Sequence, residues 1–115
     1  MPRMKAMFAA VLSLAVLSAC GTPCSRIANA ENAANEKGKA CNSKTTAWDS
    51  ARLQKCESGL SKCSPDDTKQ LDAYADCLNK LDVCVDGQSL SWGLQRLGCV
   101  EPLTKVSLAC TGAIN

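Results

Sequence analysis

The sequence predicts an all-α protein, a small disulfide-stapled array or bundle of about five short antiparallel helices. Two observations support this class: apolar residues recur at helical spacing, and no segment alternates with a period of two for long enough to form a strand. A third is the cysteine content, because nine cysteines in 115 residues is close to the density of a disulfide-framed exported domain.

The cysteines after residue 20 follow an internal repeat of about 21 residues. From Cys56 to Cys77 is 21 positions, from Cys63 to Cys84 is 21, and from Cys77 to Cys99 is 22. Each unit has a leading Cys, 13 or 14 residues, a trailing Cys and a Leu four positions later. This period lies near the short end of the range for repeat architectures and indicates a folding unit rather than a catalytic signature.

The first two predicted helices are 25–37 and 43–58. The first is rich in alanine, with Ile27, Ala30 and Ala34 on one face, and Gly38 follows it. The second would begin at a cap, Asn42 or Ser43, and end near Gly59.

The third predicted helix, 65–80, has a complete N-terminal signal. Ser64 is an N-cap, Pro65 suits the first helical position, and Asp66 and Asp67 favour the positive end of the helix dipole. Leu71, Tyr74, Leu78 and Leu81 then follow at spacings of three and four. The cap, the proline and the two acids predict where the helix starts, and the four apolar residues predict its inward face.

The last two predicted helices are 87–99 and 102–112. The fourth would be capped by Asp86 and carries on one face Leu90, Leu94 and Leu97. The fifth would open at Pro102 and carries Leu103, Val106 and Cys110. Loops of about three to seven residues predict that sequential helices are antiparallel.

The repeat suggests a disulfide ladder. If the start of one helix lies beside the end of the next, each leading Cys meets the trailing Cys of the following unit. The predicted pairs are then Cys24–Cys56, Cys41–Cys77, Cys63–Cys99 and Cys84–Cys110. Eight cysteines allow 105 pairings. The main alternative pairing joins Cys56 to Cys63 and Cys77 to Cys84. A zinc cluster of these last four thiolates is disfavoured, because exported thiols are normally oxidised.

Several kinds of chemistry are excluded by composition. The chain has no histidine, so it lacks Ser-His-Asp and Cys-His catalysis, histidine-ligated metal and the C-x-x-C-H haem motif. C-x-x-C, G-x-G-x-x-G, Walker A and G-x-S-x-G motifs are also missing. The formal net charge of +2 argues against nucleic acid. We therefore expect no catalytic residue, no metal and no cofactor.

Two groups of polar or aromatic residues have alternative interpretations. The acids Asp66, Asp67, Asp72 and Asp76 lack the EF-hand spacing and its glycine, and we interpret them as a solvated helix face. Trp92 is interpreted as a core residue rather than an exposed binding residue, because large apolar residues are scarce.

Residues 1–19 have the pattern of a cleaved secretory signal. Arg3 and Lys5 precede an apolar stretch, Phe8 to Leu17, and the small residues Ser18 and Ala19 follow. An amphipathic first helix is the alternative, and the continuous apolar run provides no polar face for one.

The end of this segment, Leu17-Ser18-Ala19-Cys20, resembles the lipobox of bacterial lipoproteins. The resemblance implies that Cys20 becomes the first mature residue and holds the protein on a membrane through acyl chains on its sulfur and amino group. Residues 20–24 would then be a lipidated anchor and short tether, and 25–115 a disulfide-rich helical domain. Gly21 after the cysteine favours the outer membrane. In the alternative, an ordinary signal with Cys20 as a disulfide partner, nine cysteines leave one unpaired.

These features predict a membrane-anchored, non-enzymatic interaction or structural module of the bacterial cell envelope. Its partner would be another envelope protein, a polysaccharide or a foreign enzyme that it inhibits. One alternative is a redox or electron-transfer lipoprotein that cycles a labile disulfide. Another is a small carboxylate hydrolase, which needs two acids converging in a cleft.

Overall fold

The described chain, residues 21–43 and 46–115 of a computed structural model, contains five α-helices. These are α1 (Pro23–Lys37), α2 (Ser50–Gly59), α3 (Pro65–Asn79), α4 (Ser89–Gly98) and α5 (Leu108–Ile114). Short 3₁₀ helices cover Lys39–Cys41, Leu60–Lys62 and Glu101–Lys105. No strand occurs in these residues, so the all-α prediction is confirmed. No described helix has both the length and the apolar content that a membrane span requires.

The N-terminal caps explain where α1 and α3 begin. The Ser64 hydroxyl accepts from the Asp67 N–H at 3.1 Å, and the Asp67 carboxylate accepts from the Ser64 N–H at 2.9 Å. This reciprocal capping box starts α3 at Pro65, as predicted. Helix α1 begins at Pro23, two residues earlier than predicted, because the Thr22 hydroxyl accepts from the Ser25 N–H.

Different caps correct the other predicted boundaries. Helix α2 starts at Ser50 rather than 43, since Asp49 is its cap and accepts from the Arg52 N–H at 2.8 Å. Helix α4 begins at Ser89 and is not capped by Asp86; Gln88 precedes it without a side-chain cap. The predicted helix 102–112 is divided, because the chain is extended at Val106 and Ser107 caps α5 anew.

Helices α1 and α3 form the centre of the protein and run parallel. Their cross-helix contacts rise together along both chains: Arg26 with Asp72 at 2.8 Å, Glu31 with Tyr74 at 3.0 Å, and Lys37 with the Asn79 carbonyl at 2.9 Å. The core between them contains Ile27, Ala30, Ala34, Leu71, Ala75 and Leu78. Small alanine side chains on α1 allow the two helices to approach closely.

Helices α2 and α5 pack together beside this pair. Helix α2 is antiparallel to α1, since the Trp48 N–H before it donates to Asn32 and Cys56 near its end is bonded to Cys24. Helix α5 lies along α2, where Gly59 faces the Ala113 backbone. Helix α2 is therefore antiparallel to α1 and, since α1 and α3 run parallel, also to α3, as the short loops predict.

All eight cysteines from Cys24 to Cys110 form disulfides. Cys24–Cys56 confirms one predicted bond, with the Cα atoms 5.9 Å apart. The predicted bonds Cys41–Cys77, Cys63–Cys99 and Cys84–Cys110 are wrong, as are the local pairs Cys56–Cys63 and Cys77–Cys84. The observed bonds, with Cα separations of 6.1, 4.5 and 5.4 Å, are Cys41–Cys84, Cys63–Cys110 and Cys77–Cys99.

The parallel packing of α1 and α3 explains the corrected pairing. Because both helices end at the same end of the bundle, the segments that follow them meet, and the Cys84 N–H donates to the Lys37 carbonyl at 2.7 Å. Cys41 therefore reaches Cys84. The loop 81–88 carries the chain past the end of α3, so the end of α4, at Cys99, lies beside Cys77. Four such bonds are typical of extracellular or secreted domains.

Candidate interaction surface

The most prominent surface feature is a row of three leucines on α4. Leu90, Leu94 and Leu97 are 78%, 59% and 65% exposed, and their spacing of four and three residues places them on one side of the helix. We call this row the leucine face. Large apolar side chains exposed together mark interaction sites more often than isolated ones do.

Helix α4 is held to the bundle from its opposite side. Trp92 is only 4% exposed, and its indole N–H donates to the Asp82 carbonyl at 2.7 Å. Its ring lies against Gly38, where an added Cβ would be 2.7 Å from the Trp92 Cη2 atom. Cys99, just after α4, is fully buried in its disulfide with Cys77. At 3.6 residues per turn, Trp92 and Cys99 lie nearly opposite Leu94, so these anchors point the leucine face to solvent.

Arg96 is the only charged residue of α4, and it is directed toward the bundle. Its guanidinium donates to the Asn35 side chain at 3.2 Å and lies 5.8 Å from the centre of the Trp92 ring. Exposed valines flank the helix in sequence, with Val83 and Val85 before it and Val100 after it. The leucine face is therefore uncharged as well as apolar.

The sequence places these leucines together but gives their direction only indirectly. Their spacing predicts a helix with one apolar face, and α4 is that helix. The expectation that Trp92 belongs to the core is also confirmed. Since Trp92 and the leucines are on opposite sides of one helix, both cannot face inward. That conflict is the sequence signal of an exposed face.

A second cluster is centred on Glu31 of α1. One carboxylate oxygen accepts from the Trp48 indole N–H and the other from the Tyr74 hydroxyl at 3.0 Å. Arg52 lies 3.9 Å from the same carboxylate and 4.0 Å from the centre of the Trp48 ring. Burial, together with the neighbouring Glu31 charge, raises the pKa of Tyr74 above its ordinary range. The cluster thus joins α1, α3 and the chain before α2.

A small cavity of about 100 Å³ adjoins this cluster. Its apolar walls come from Ile27, Leu71, Leu103 and Ile114, and Glu31 is the one acid among its lining residues. Both oxygens of that acid already accept hydrogen bonds. A carboxylate hydrolase requires two acids that converge in a cleft. The residues that line this cavity include only one acidic side chain, so they do not supply that pair.

The four acids that we predicted to form one solvated face differ in their exposure to solvent. Asp66 and Asp76 are exposed, and Asp72 pairs with Arg26. Asp67 is buried instead, where it accepts from the Ser64 N–H, the Ser107 N–H at 2.8 Å and the Ser107 hydroxyl at 2.7 Å. These donors, the Ser107 N–H first, lower the pKa of Asp67 from 3.8 to about 2.

The cysteine sulfurs are not arranged as thiolate ligands. Asp67 lies within 4.8 Å of the sulfurs of Cys63 and Cys110, but these two sulfurs are bonded to each other. The four cysteines considered for zinc belong to four separate disulfides. Cys20, the predicted lipidation site, lies with the signal segment 1–19 outside the described residues.

Comparison with known protein-family models, curated proteins and solved structures finds no match for this chain.

Proposed function

We propose that this protein is a membrane-anchored, non-enzymatic interaction module of the bacterial cell envelope. Its binding surface is the leucine face, and its partner presents an uncharged apolar protein surface. The observation that carries the proposal is the exposure of Leu90, Leu94 and Leu97 opposite two buried anchors, Trp92 and Cys99. Exposing three leucines to water has no benefit for folding, whereas covering them favours association.

Two features support an exported, anchored location. Four disulfides persist in oxidising compartments outside the cytoplasm. The lipobox-like segment ending at Cys20 is followed after only two residues by helix α1 at Pro23. Multiple acyl chains give stable anchoring, whereas one chain binds reversibly. An anchor at Cys20 would therefore keep the start of α1 close to the membrane.

The position of α4 suits contact with another protein. Helix α1 has 15 residues and is about 22 Å long at 1.5 Å per residue. Trp92 and Arg96 contact Gly38 and Asn35 at its far end. The leucine face is therefore held away from the anchored end of the domain.

The Glu31 cluster supports a non-enzymatic role. Glu31 is engaged by Trp48, Tyr74 and Arg52. A general base needs a free acceptor within reach of its substrate, and this carboxylate serves instead as a bridge between elements.

The binding role is tested by capture from detergent-solubilised envelope, with the anchored protein as bait. We expect Leu94→Glu to abolish the capture of specific partners, because a buried carboxylate there would lack a hydrogen-bond partner. Leu108→Glu is the matched control, since Leu108 is 89% exposed and lies on α5 at the other end of the bundle. Equal capture by wild type and Leu94→Glu would refute the proposal.

The anchor is tested separately by fractionation. We expect Cys20→Ala to prevent correct processing and to remove stable membrane attachment. A processed Cys20→Ala protein that remains fully membrane-bound would contradict the lipobox interpretation, while leaving the binding role of α4 unaffected.

A further inference from the structure

We propose that the cavity beside Glu31 binds a small aliphatic molecule that ends in an uncharged carbonyl group. The cavity has a volume of about 100 Å³. Its walls come from α1, α2, α3, α5, the chain just before α2 and the 3₁₀ helix Glu101–Lys105. Small-molecule sites commonly lie between the helices of a bundle in this way. This inference goes beyond the proposed function, whose binding surface is on α4.

The directions of the helices give the cavity an apolar end and a polar end. Helices α1 and α3 run parallel and α2 runs against them, so the start of α1 lies beside the end of α2. The lining residues at the apolar end are Ile27, Cys56 and Leu71. The lining residues at the polar end are Glu31, Trp48 and Tyr74. A ligand that fits lengthwise therefore has a hydrocarbon body and a single polar head.

The apolar end favours hydrocarbon over water. Ile27 and Leu71 are buried there, and every buried side-chain nitrogen or oxygen atom of the described residues already has a hydrogen-bond partner. A trapped water molecule needs two to four polar partners, so an apolar cavity stays dry or takes an apolar ligand. Since a dry cavity of about 150 Å³ can hold benzene, about 100 Å³ is enough for a body of about four carbon atoms.

Arg52 supplies hydrogen-bond donors for the polar head of the ligand. Its side chain lines the cavity and is partly exposed, with the guanidinium 4.0 Å from the centre of the Trp48 ring. It donates to the Thr46 carbonyl at 3.4 Å, and its 3.9 Å separation from the Glu31 carboxylate is longer than a hydrogen bond. A guanidinium has five N–H donors, so donors remain for a ligand. The head of the ligand is therefore an acceptor.

The charges around the cavity select an uncharged acceptor. Glu31 and Arg52 carry opposite charges 3.9 Å apart, so their charges offset each other at the polar end. A ligand carboxylate would bring a second negative charge beside Glu31, and a ligand ammonium would bring a second positive charge beside Arg52. Either charge would also lose its hydration without a free partner of opposite charge. A carbonyl oxygen accepts from Arg52 without these costs.

The test uses the two tryptophans of the chain, whose indole N–H groups give separate NMR signals. Trp48 lines the cavity, whereas Trp92 packs against Gly38 and donates to the Asp82 carbonyl. Isobutyramide is titrated into the full chain with its disulfides intact, and Trp48→Phe assigns the two signals. We expect the Trp48 signal to shift saturably, with a dissociation constant on the order of 1 mM for so small a ligand. The Trp92 signal should not move.

A cavity-filling variant locates the site. Leu103→Phe adds bulk to the cavity wall and should weaken isobutyramide binding by about tenfold or more, the effect of at least one decade in the association constant. Leu108→Phe is the matched control, because Leu108 is exposed on α5, and it should bind as wild type does. An unchanged Trp92 signal verifies that each variant is folded. Adamantane-1-carboxamide, which has the same head on a body too large for the cavity, tests the size limit without any substitution and should cause no shift.

The charged analogues isobutyrate and isobutylammonium test the head group. We expect each to bind at least about tenfold more weakly than isobutyramide. Tighter binding of either analogue would overturn the uncharged head. The absence of a saturable Trp48 shift with isobutyramide would overturn the site itself. Wild-type binding by folded Leu103→Phe, or a Trp48 shift with adamantane-1-carboxamide, would overturn the assignment of the cavity as the site.

Discussion

The carboxylate of Asp67 accepts hydrogen bonds from both the N–H and the hydroxyl of Ser107, forty residues later in the chain. Asp67 lies in the first turn of α3, and Ser107 is the N-cap of α5. The same carboxylate completes the capping box with Ser64. One buried side chain thus links the starts of two helices beside the Cys63–Cys110 disulfide.

This contact predicts acid sensitivity. The folded-state pKa of Asp67 is about 2 against an ordinary 3.8, so its stabilising contribution is complete above pH 3.8 and is lost as pH falls toward 2. We expect Asp67→Asn to lower the melting temperature at neutral pH and to flatten its decline across this acid range. Asp66→Asn, at the exposed neighbouring position, should leave the profile unchanged. Identical profiles for both variants would contradict the role of Asp67.

The disulfide pairing predicts a pattern of double-mutant effects. Removing the Cys77–Cys99 bond should cost about 2–4 kcal/mol of unfolding free energy. Cys77→Ala/Cys99→Ala should be little worse than either single variant, since each loses the same bond. The mismatched control Cys63→Ala/Cys99→Ala should lose two bonds. Urea unfolding and peptide mapping measure both effects, and a mapped Cys63–Cys99 peptide would refute the assignment.

Close packing at Gly59 predicts a steric effect. A Cβ there would collide with the backbone of Ala113, where α5 crosses the end of α2. We expect Gly59→Ala to destabilise the domain by about 1–3 kcal/mol, the usual cost of overpacking. Gly98→Ala is the control, because a Cβ at Gly98 meets nothing within 4 Å. Denaturation curves that show equal stability for the two variants would contradict the packing of α5.

Tyr74 is the only tyrosine of the chain, which makes its titration directly observable. Its pKa should lie well above the ordinary 10.0, because its hydroxyl is buried and donates to Glu31. Glu31→Gln should lower it by removing the negative charge. Stability should fall as pH rises past 10, since the folded protein then retains a proton that the unfolded chain releases. A tyrosinate absorbance midpoint near 10 in the native protein would contradict this contact.

Much of the helical organisation could be predicted because its causes are local. Ser64, Pro65 and Asp67 lie within four residues of one another, and their capping chemistry determines where α3 begins. Gly59 ends α2, and Gly38 follows α1, as the sequence indicates. The even number of cysteines after Cys20 was also sufficient to predict that all of them could pair.

Other features depended on residues that are distant in sequence. Ser107 divides the predicted last helix because Asp67 is available to hold it. Asp49 replaces the predicted caps of α2, where Trp48 is drawn to Glu31 and Asn32. The positions where α2 and α5 begin therefore depend on hydrogen-bond partners far away in the sequence, which helical spacing does not reveal.

The sequence by itself determined that the chain forms short helices joined by cysteines, because caps, periodicity and residue counts act within a few positions. Only the tertiary structure decided that α1 packs directly against α3, and that contact brings Cys84 to Cys41 rather than Cys77. It also decided that Trp92 faces the core and Leu94 faces solvent. The physical reason is that a helix with two apolar sides is oriented by the space its neighbours leave, here the gap at Gly38 that accepts the Trp92 ring.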